Sequence, residues 1–289
     1  MQWHLGTIGF AYPHWSDNFY PRGLREADRL AHFANHFDAI ELDTTFHAVP
    51  SPDVVKRWAG ATPPAFRFCL KTPRDVTHVT AASEHLLKIS TLETMRRFID
   101  AAENLGDKLA ALLLQFPPAF TIAYQATLLR FLDHFTRGPR LAIEFRHENW
   151  WTPKIAAELR GRRIAWVAAD QSPKHEASGA PNEKRHSRDH PRPIISTSDF
   201  LYVRWVGRHG QFPDRRREHF DPTPRLEWWG NRLSRVLEAS PNVRDVYAFF
   251  DNDFAGHSPT TANRFAQILG LPIRQTRNAL SEPTLFSFV

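Results

Sequence analysis

Cysteine is almost missing from this chain: Cys69 is the only one in 289 residues. A lone thiol excludes an internal disulfide and any zinc cluster built on paired thiolates, and it fits a reducing, cytoplasmic setting. Long apolar runs are missing too. The longest, around LAALLLQF at 109–116, is far too short to cross a bilayer, and no charged segment followed by an apolar stretch opens the chain. No membrane partner is expected. Neither GxGxxG nor GxxxxGK[ST] follows a strand-like run, which removes the phosphate cradles of open doubly wound sheets. The 15 histidines contain no HExxH, so a zinc-hydrolase helix has no support.

What is present is a regular alternation of short β-rich runs with helical patterns. Strands are expected at 5–10, 39–43, 66–71, 110–116, 141–146, 164–170, 200–206 and 246–252. Helices are expected at 27–37, 52–60, 91–106, 124–135, 153–161, 224–239 and 260–270, several opened by Pro or closed by Gly. The sixth connection breaks the rule. Residues 171–199 are Pro, Ser, His and charge without apolar period, and an irregular loop, partly disordered, is expected in place of a helix. Eight strands with seven helices and one substitute argue for a single (β/α)8 TIM-type barrel over 1–289.

In LAIEFR (141–146) two charges interrupt a core strand. Successive strand residues alternate faces, so Ala142, Glu144 and Arg146 share one face while Leu141, Ile143 and Phe145 fill the other. Other strands end similarly: Glu41 and Asp43, Lys71, Gln115, Asp170, Arg204, and Asp251 with Asn252. Barrel enzymes carry their chemistry at the carboxyl ends of the strands. A ring of charge there must be mutually paired, wet or ligand-bound, because an unpaired buried charge costs several kcal/mol. A shared polar pocket containing Glu41, Asp43, Lys71, Glu144, Arg146, Asp170 and Arg204 is therefore expected.

Three chemistries suit such a ring. Carboxylates, with Asp43 and Asp251 as the added pair, would hold a divalent metal such as Mg²⁺ or Mn²⁺. Lys71, Arg146 and Arg204 would clamp a phosphate or carboxylate. Sugar hydrolysis would need two flanking carboxylates and a stacking platform, for which Trp15, Trp150 and Trp151 are the candidates. The net charge of +6, with Arg208, Arg215, Arg216 and Arg217 close together against Asp214, makes a polyanion a plausible partner.

The ordered segments GTIGFAYPHW, IELDTTFHAVP, FRFCLKTPRDVTH, LLLQFPPAF, AIEFRHENWW, YVRWVG and FFDNDFAGHSPTTAN resemble the domain-of-unknown-function 72, or YecE-like, family over about residues 5 to 270. The resemblance implies a TIM-type barrel. Its pattern falls on Glu41, Thr45, Phe46, Lys71, Thr77, His78, Gln115, Glu144, Arg146, Trp150, Arg204, Asn252 and Gly256. Here the chain departs from the pattern at Asp43, His47, Val206 and Asp251; the two aspartates add negative charge to the pocket.

The combined expectation is an enzyme, a hydrolase or lyase of a phosphate-containing substrate, including nucleic acid. Glu144, His78 and Asp170 would be catalytic. Lys71, Arg146, Arg204, Gln115, Glu41, Asn252, Trp15, Phe46 and Trp150 would bind substrate. The alternative is a non-catalytic module that holds nucleic acid or a small anionic molecule, and glycoside hydrolysis is third.

Overall fold

Strands apolar on both faces need a helical layer outside and a filled bore inside, and a closed parallel sheet supplies both. A computed structural model of the chain describes residues 1–78, 85–171 and 193–273. Its strands β1 (Gln2–Ile8), β2 (Ala39–Leu42), β3 (Arg67–Lys71), β4 (Leu109–Phe116), β5 (Leu141–Phe145), β6 (Ala165–Asp170), β7 (Phe200–Trp205) and β8 (Asp245–Phe250) pair in parallel in chain order. β8 returns to β1 and closes the barrel. All eight expected strands form, with ends shifted by up to three residues. β1 begins earlier than expected and stops at Ile8 because Gly9 turns to φ +72, which takes the chain out of the sheet.

The helices are α1 (Arg29–Ala34), α2 (Pro52–Gly60), α3 (Arg74–Thr77), α4 (Ile89–Ala102), α5 (Gln125–Asp133), α6 (Pro153–Gly161), α7 (Thr223–Glu238), α8 (Asn252–Ala255) and α9 (Ser258–Ile268). α2 and α6 start at the expected prolines, each capped by a hydroxyl: Ser51 accepts from Val54 N and Thr152 from Ile155 N. α3 and α8 are single turns that periodicity did not show. Residues 193–199 carry no helix or strand, as expected for the sixth connection. The remainder of that loop, 172–192, lies outside the described residues.

Alternation sorts the core into two layers. Ile8, Cys69, Leu113, Val167, Tyr202 and Phe249 fill the bore, whereas Leu70, Leu112, Ile143, Trp166 and Val203 pack outward under the helices. The Cys69 thiol is fully buried and burial holds its pKa well above the ordinary value, so it is a packing residue. At the amino end of the bore Arg140 donates to Asp245 at 2.9 Å and to Asp199 at 2.7 Å, with His4 Nε2 at 3.2 Å from Asp245. That end is a closed ion network. The pocket expected from the strand ends lies at the other end.

Candidate active site

β2, β5 and β7 each place an inward residue one layer above the apolar plug: Glu41, Glu144 and Arg204. The Arg204 guanidinium sits between the two carboxylates. Its Nε and Nη2 donate to Glu41 at 2.9 and 2.7 Å, and its Nη1 donates to Glu144. Tyr202, on the same face two residues earlier, adds a hydroxyl donor to Glu41 at 2.8 Å. Burial by itself works against the Arg204 charge, but the attraction of Glu41 and Glu144 outweighs it and raises the pKa. All three nitrogens of Arg204 are committed to protein carboxylates. The expected role of Arg204 as an anion clamp is therefore corrected: it is the floor of the pocket, and Glu41 is sealed beneath it.

Above this floor stand four more polar side chains, Arg146, Gln171, Gln115 and Lys71. Arg146 Nε pairs with Glu144, and its side chain keeps 20% of its surface exposed. Gln171 Nε2 donates to Glu144 at 3.1 Å. Gln115 lies beside Glu144 in register across β4 and β5; its Oε1 is buried and has no hydrogen-bond partner among the described residues. Lys71 ends β3 on the same inner face, with Nζ 4.0 Å from the centre of the Phe46 ring. No carboxylate of the described residues forms an ion pair with it. Burial, together with nearby Arg204, lowers its pKa to about 8 against the partial opposition of Glu41 and Glu144.

The loops after β2 and β3 are tied together. Thr45 Oγ1 donates to the Lys71 carbonyl at 2.7 Å, which holds the Phe46 ring over the amine. His78 presents its ring to the edge of Phe46, 4.8 Å between centres, with Nδ1 2.9 Å from Thr77 Oγ1. Burial, then the cations Lys71 and Arg146, push the His78 pKa down to about 4, so its imidazole is neutral at neutral pH.

Across the mouth, Asp251 accepts from Asp253 N at 2.8 Å, and burial pushes its carboxyl pKa up to about 7. Asp43 is its electrostatic neighbour. These two carboxylates are the expected metal pair. Among the described residues no group of three or more His, Cys, Asp or Glu is placed to hold a metal ion, so the donor set present falls short of a metal centre.

Four further sequence expectations, Asp170, Trp150, Trp15 and Asn252, are corrected by which way side chains face. Asp170 ends β6 on its outer face. It accepts from Arg225 Nε at 2.8 Å and Trp229 Nε1 at 2.5 Å, fastening α7 to the barrel instead of entering the pocket with Glu144. Trp150 is buried between Phe145 and Phe120, stacked at 4.4 and 5.3 Å, and donates to the Phe120 carbonyl. Trp15 is likewise fully buried and donates to Asn252 Oδ1, which also accepts from Ser258 N; the trio joins the loop after β1 to α9. None of Trp15, Trp150 and Asn252 offers a binding surface.

Sequence reasoning missed Tyr202, Gln171, Arg225 and Trp229. Tyr202 was recoverable from its two-residue spacing to Arg204. Gln171, two residues beyond inward-facing Ala169, was recoverable the same way, whereas Arg225 and Trp229 lie across a connection whose geometry no local pattern specifies.

No helix among the described residues is long and apolar enough to cross a membrane. A family model described as "Protein of unknown function DUF72" matches residues 4–284. The UPF0759 protein YecE of Escherichia coli K12 is 30% identical over 176 residues, 59% of this chain, and the matched region spans 61% of that relative's length. The UPF0759 protein YunF of Bacillus subtilis is 21% identical over 88% of this chain and 91% of its own. Among solved structures, a DUF72 family protein from Thermotoga maritima superposes with a TM-score of 0.69 at 26% identity, covering 93% of this chain and 100% of that one. A DUF72 family protein from Enterococcus faecalis matches with a TM-score of 0.63 at 20% identity, covering 94% of this chain and 96% of that one, a likeness of fold alone. The barrel, its ordered motifs and the near-complete family match together establish that this chain belongs to the DUF72 family.

Proposed function

We propose that the protein is an enzyme, a lyase or hydrolase acting on a small anionic substrate, phosphate- or carboxylate-bearing, at the carboxyl ends of the barrel strands. One observation carries this reading. Among the described residues Glu41 and Glu144 are both taken by the guanidinium groups of Arg204 and Arg146, and the Lys71 amine on the same inner face forms no ion pair with a carboxylate. An amine without a carboxylate partner in a half-buried pocket favours an anionic group, and a guanidinium beside it supplies directional donors.

The opposite wall supports turnover over mere capture. Asp251, with a pKa of about 7, exchanges a proton near neutrality, as a general acid or base must. Neutral His78 suits proton acceptance or relay, a different duty from delivery by an imidazolium. Glu144 holds Arg146 and Gln171 in place.

Calorimetric titration with inorganic phosphate tests the reading. Arg146→Gln should weaken phosphate binding on the order of tenfold, the scale of one charge-assisted hydrogen bond. Equal affinity in the two proteins would remove Arg146 and the anion pocket together.

A further inference from the structure

We propose that Lys71 is a nucleophile, and that its amine forms an imine with the carbonyl carbon of an anionic aldehyde or ketone. This deepens the anionic-substrate reading and rests on it for the choice of substrate charge. Lysine becomes a carbonyl nucleophile when it is desolvated in an apolar setting or placed next to other cations. Lys71 meets both conditions: Phe46 covers the amine, and Arg204 and Arg146 are its cationic neighbours. Lys108 is the informative contrast. It is committed to the carbonyls of Ala59 and Thr62 and to the Thr62 hydroxyl, which occupies all three ammonium protons. Lys71 makes no such bonds among the described residues.

The neighbourhood also supplies what the intermediate needs. Gln115 is 93% buried on the adjacent strand, faces the bore, and its Oε1 lacks a partner among the described residues. A carbinolamine hydroxyl would give that oxygen a donor. Arg146 takes the anionic end of the substrate, leaving Lys71 free to attack.

The step balances without a co-reactant. The neutral amine attacks the carbonyl carbon, the C–N bond forms, and the carbonyl π pair moves to oxygen. One amine proton passes to that oxygen. The hydroxyl then takes a proton from solvent and leaves as water, giving a protonated imine. A pKa of about 8 leaves roughly a tenth of Lys71 unprotonated at pH 7 and about half at pH 8, whereas an ordinary lysine is almost wholly protonated at both.

The test is reductive trapping on the full chain. The protein is incubated at pH 8 with pyruvate, dihydroxyacetone phosphate or uncharged propanal, each with cyanoborohydride, and adducts are located by peptide mass mapping. Lys71 should be labelled on the order of tenfold or more faster than exposed Lys56, Lys88 or Lys154. Its labelling rate should climb through pH 8, well below the ordinary lysine value. The two anionic probes should outpace propanal, and Arg146→Gln should erase that advantage. If Lys71 is labelled equally by all three probes and Arg146→Gln changes nothing, the imine stands and the anionic reading falls. Labelling of Lys71 no faster than that of the exposed lysines, with every probe, overturns the proposal. Because the wild-type protein carries the reading, misfolding of a variant does not blur it.

Discussion

Arg204 is more deeply buried than Lys71, yet its charge is the more secure, because every nitrogen has a carboxylate oxygen. Lys71 has shallower burial and no ion-pair partner among the described residues, and there desolvation wins. This predicts an uncommon mutational sign. Lys71 has a lower pKa folded than unfolded, so the protonated side chain favours the unfolded chain; the penalty is fully present below pH 8 and fades as pH rises from 8 to the ordinary lysine value. Lys71→Met should therefore be more stable than wild type at pH 7, by about 1–2 kcal/mol after allowance for partial exposure, while losing imine formation. Urea unfolding at pH 7 and pH 10 measures it, and the gain should shrink at the higher pH. At this scale the sequence was half legible. Two-residue alternation found Glu144 with Arg146, but sorting by strand end placed Asp170 among them, although counting inward from Val167 and Ala169 assigns Asp170 to the outer face. Which cation each carboxylate would take was not legible, since Glu41 and Arg204 lie 163 residues apart in sequence.

At the level of elements, Gly6 is the tightest glycine among the described residues, where β1 meets β2. A Cβ on Gly6 would stand 1.8 Å from the Ala39 carbonyl oxygen, so any side chain there must push apart strands whose pairing closes the barrel. Gly60, at the end of α2, has nothing within 4 Å of the same imagined atom. Gly6→Ala should cost about 3 kcal/mol or more, or prevent folding, whereas Gly60→Ala should stay within about 1 kcal/mol of wild type. Thermal melts of the two variants side by side decide this. The long helices and all eight strands were legible because each repeats an apolar period over enough residues to be counted. α3 and α8 were not, because a four-residue turn has no period and is held by local bonds such as the Asp251 cap. These two turns carry the residues next to the pocket, so the least readable elements are the ones that shape it.

For the molecule as a whole, the net charge of +6 makes weak polyanion attraction an expected property, separate from the pocket. Arg215 is partly spent on Asp253 at 3.0 Å, while Arg208, Arg216 and Arg217 are exposed on the loop after β7. If these arginines hold nucleic acid, Arg216→Glu with Arg217→Glu should weaken oligonucleotide binding and lower its logarithmic salt slope by roughly two, one unit for each phosphate no longer neutralised. An unchanged slope would assign that loop to plain surface charge and leave a small molecule as the partner. The barrel itself was legible from strand and helix count, because a parallel sheet of eight buried strands has few ways to close. Its bore ties together strands that are not neighbours: one guanidinium from β7 touches β2 and β5 at once. That junction cannot exist until the sheet has nearly come round on itself, so it belongs to the last events of folding. Arg204→Met should accordingly leave the refolding rate almost untouched and speed unfolding by roughly 10²–10⁴, the kinetic equivalent of breaking a buried pair worth about 3–5 kcal/mol. The same junction that floors the pocket thus acts as a latch on the lifetime of the closed barrel.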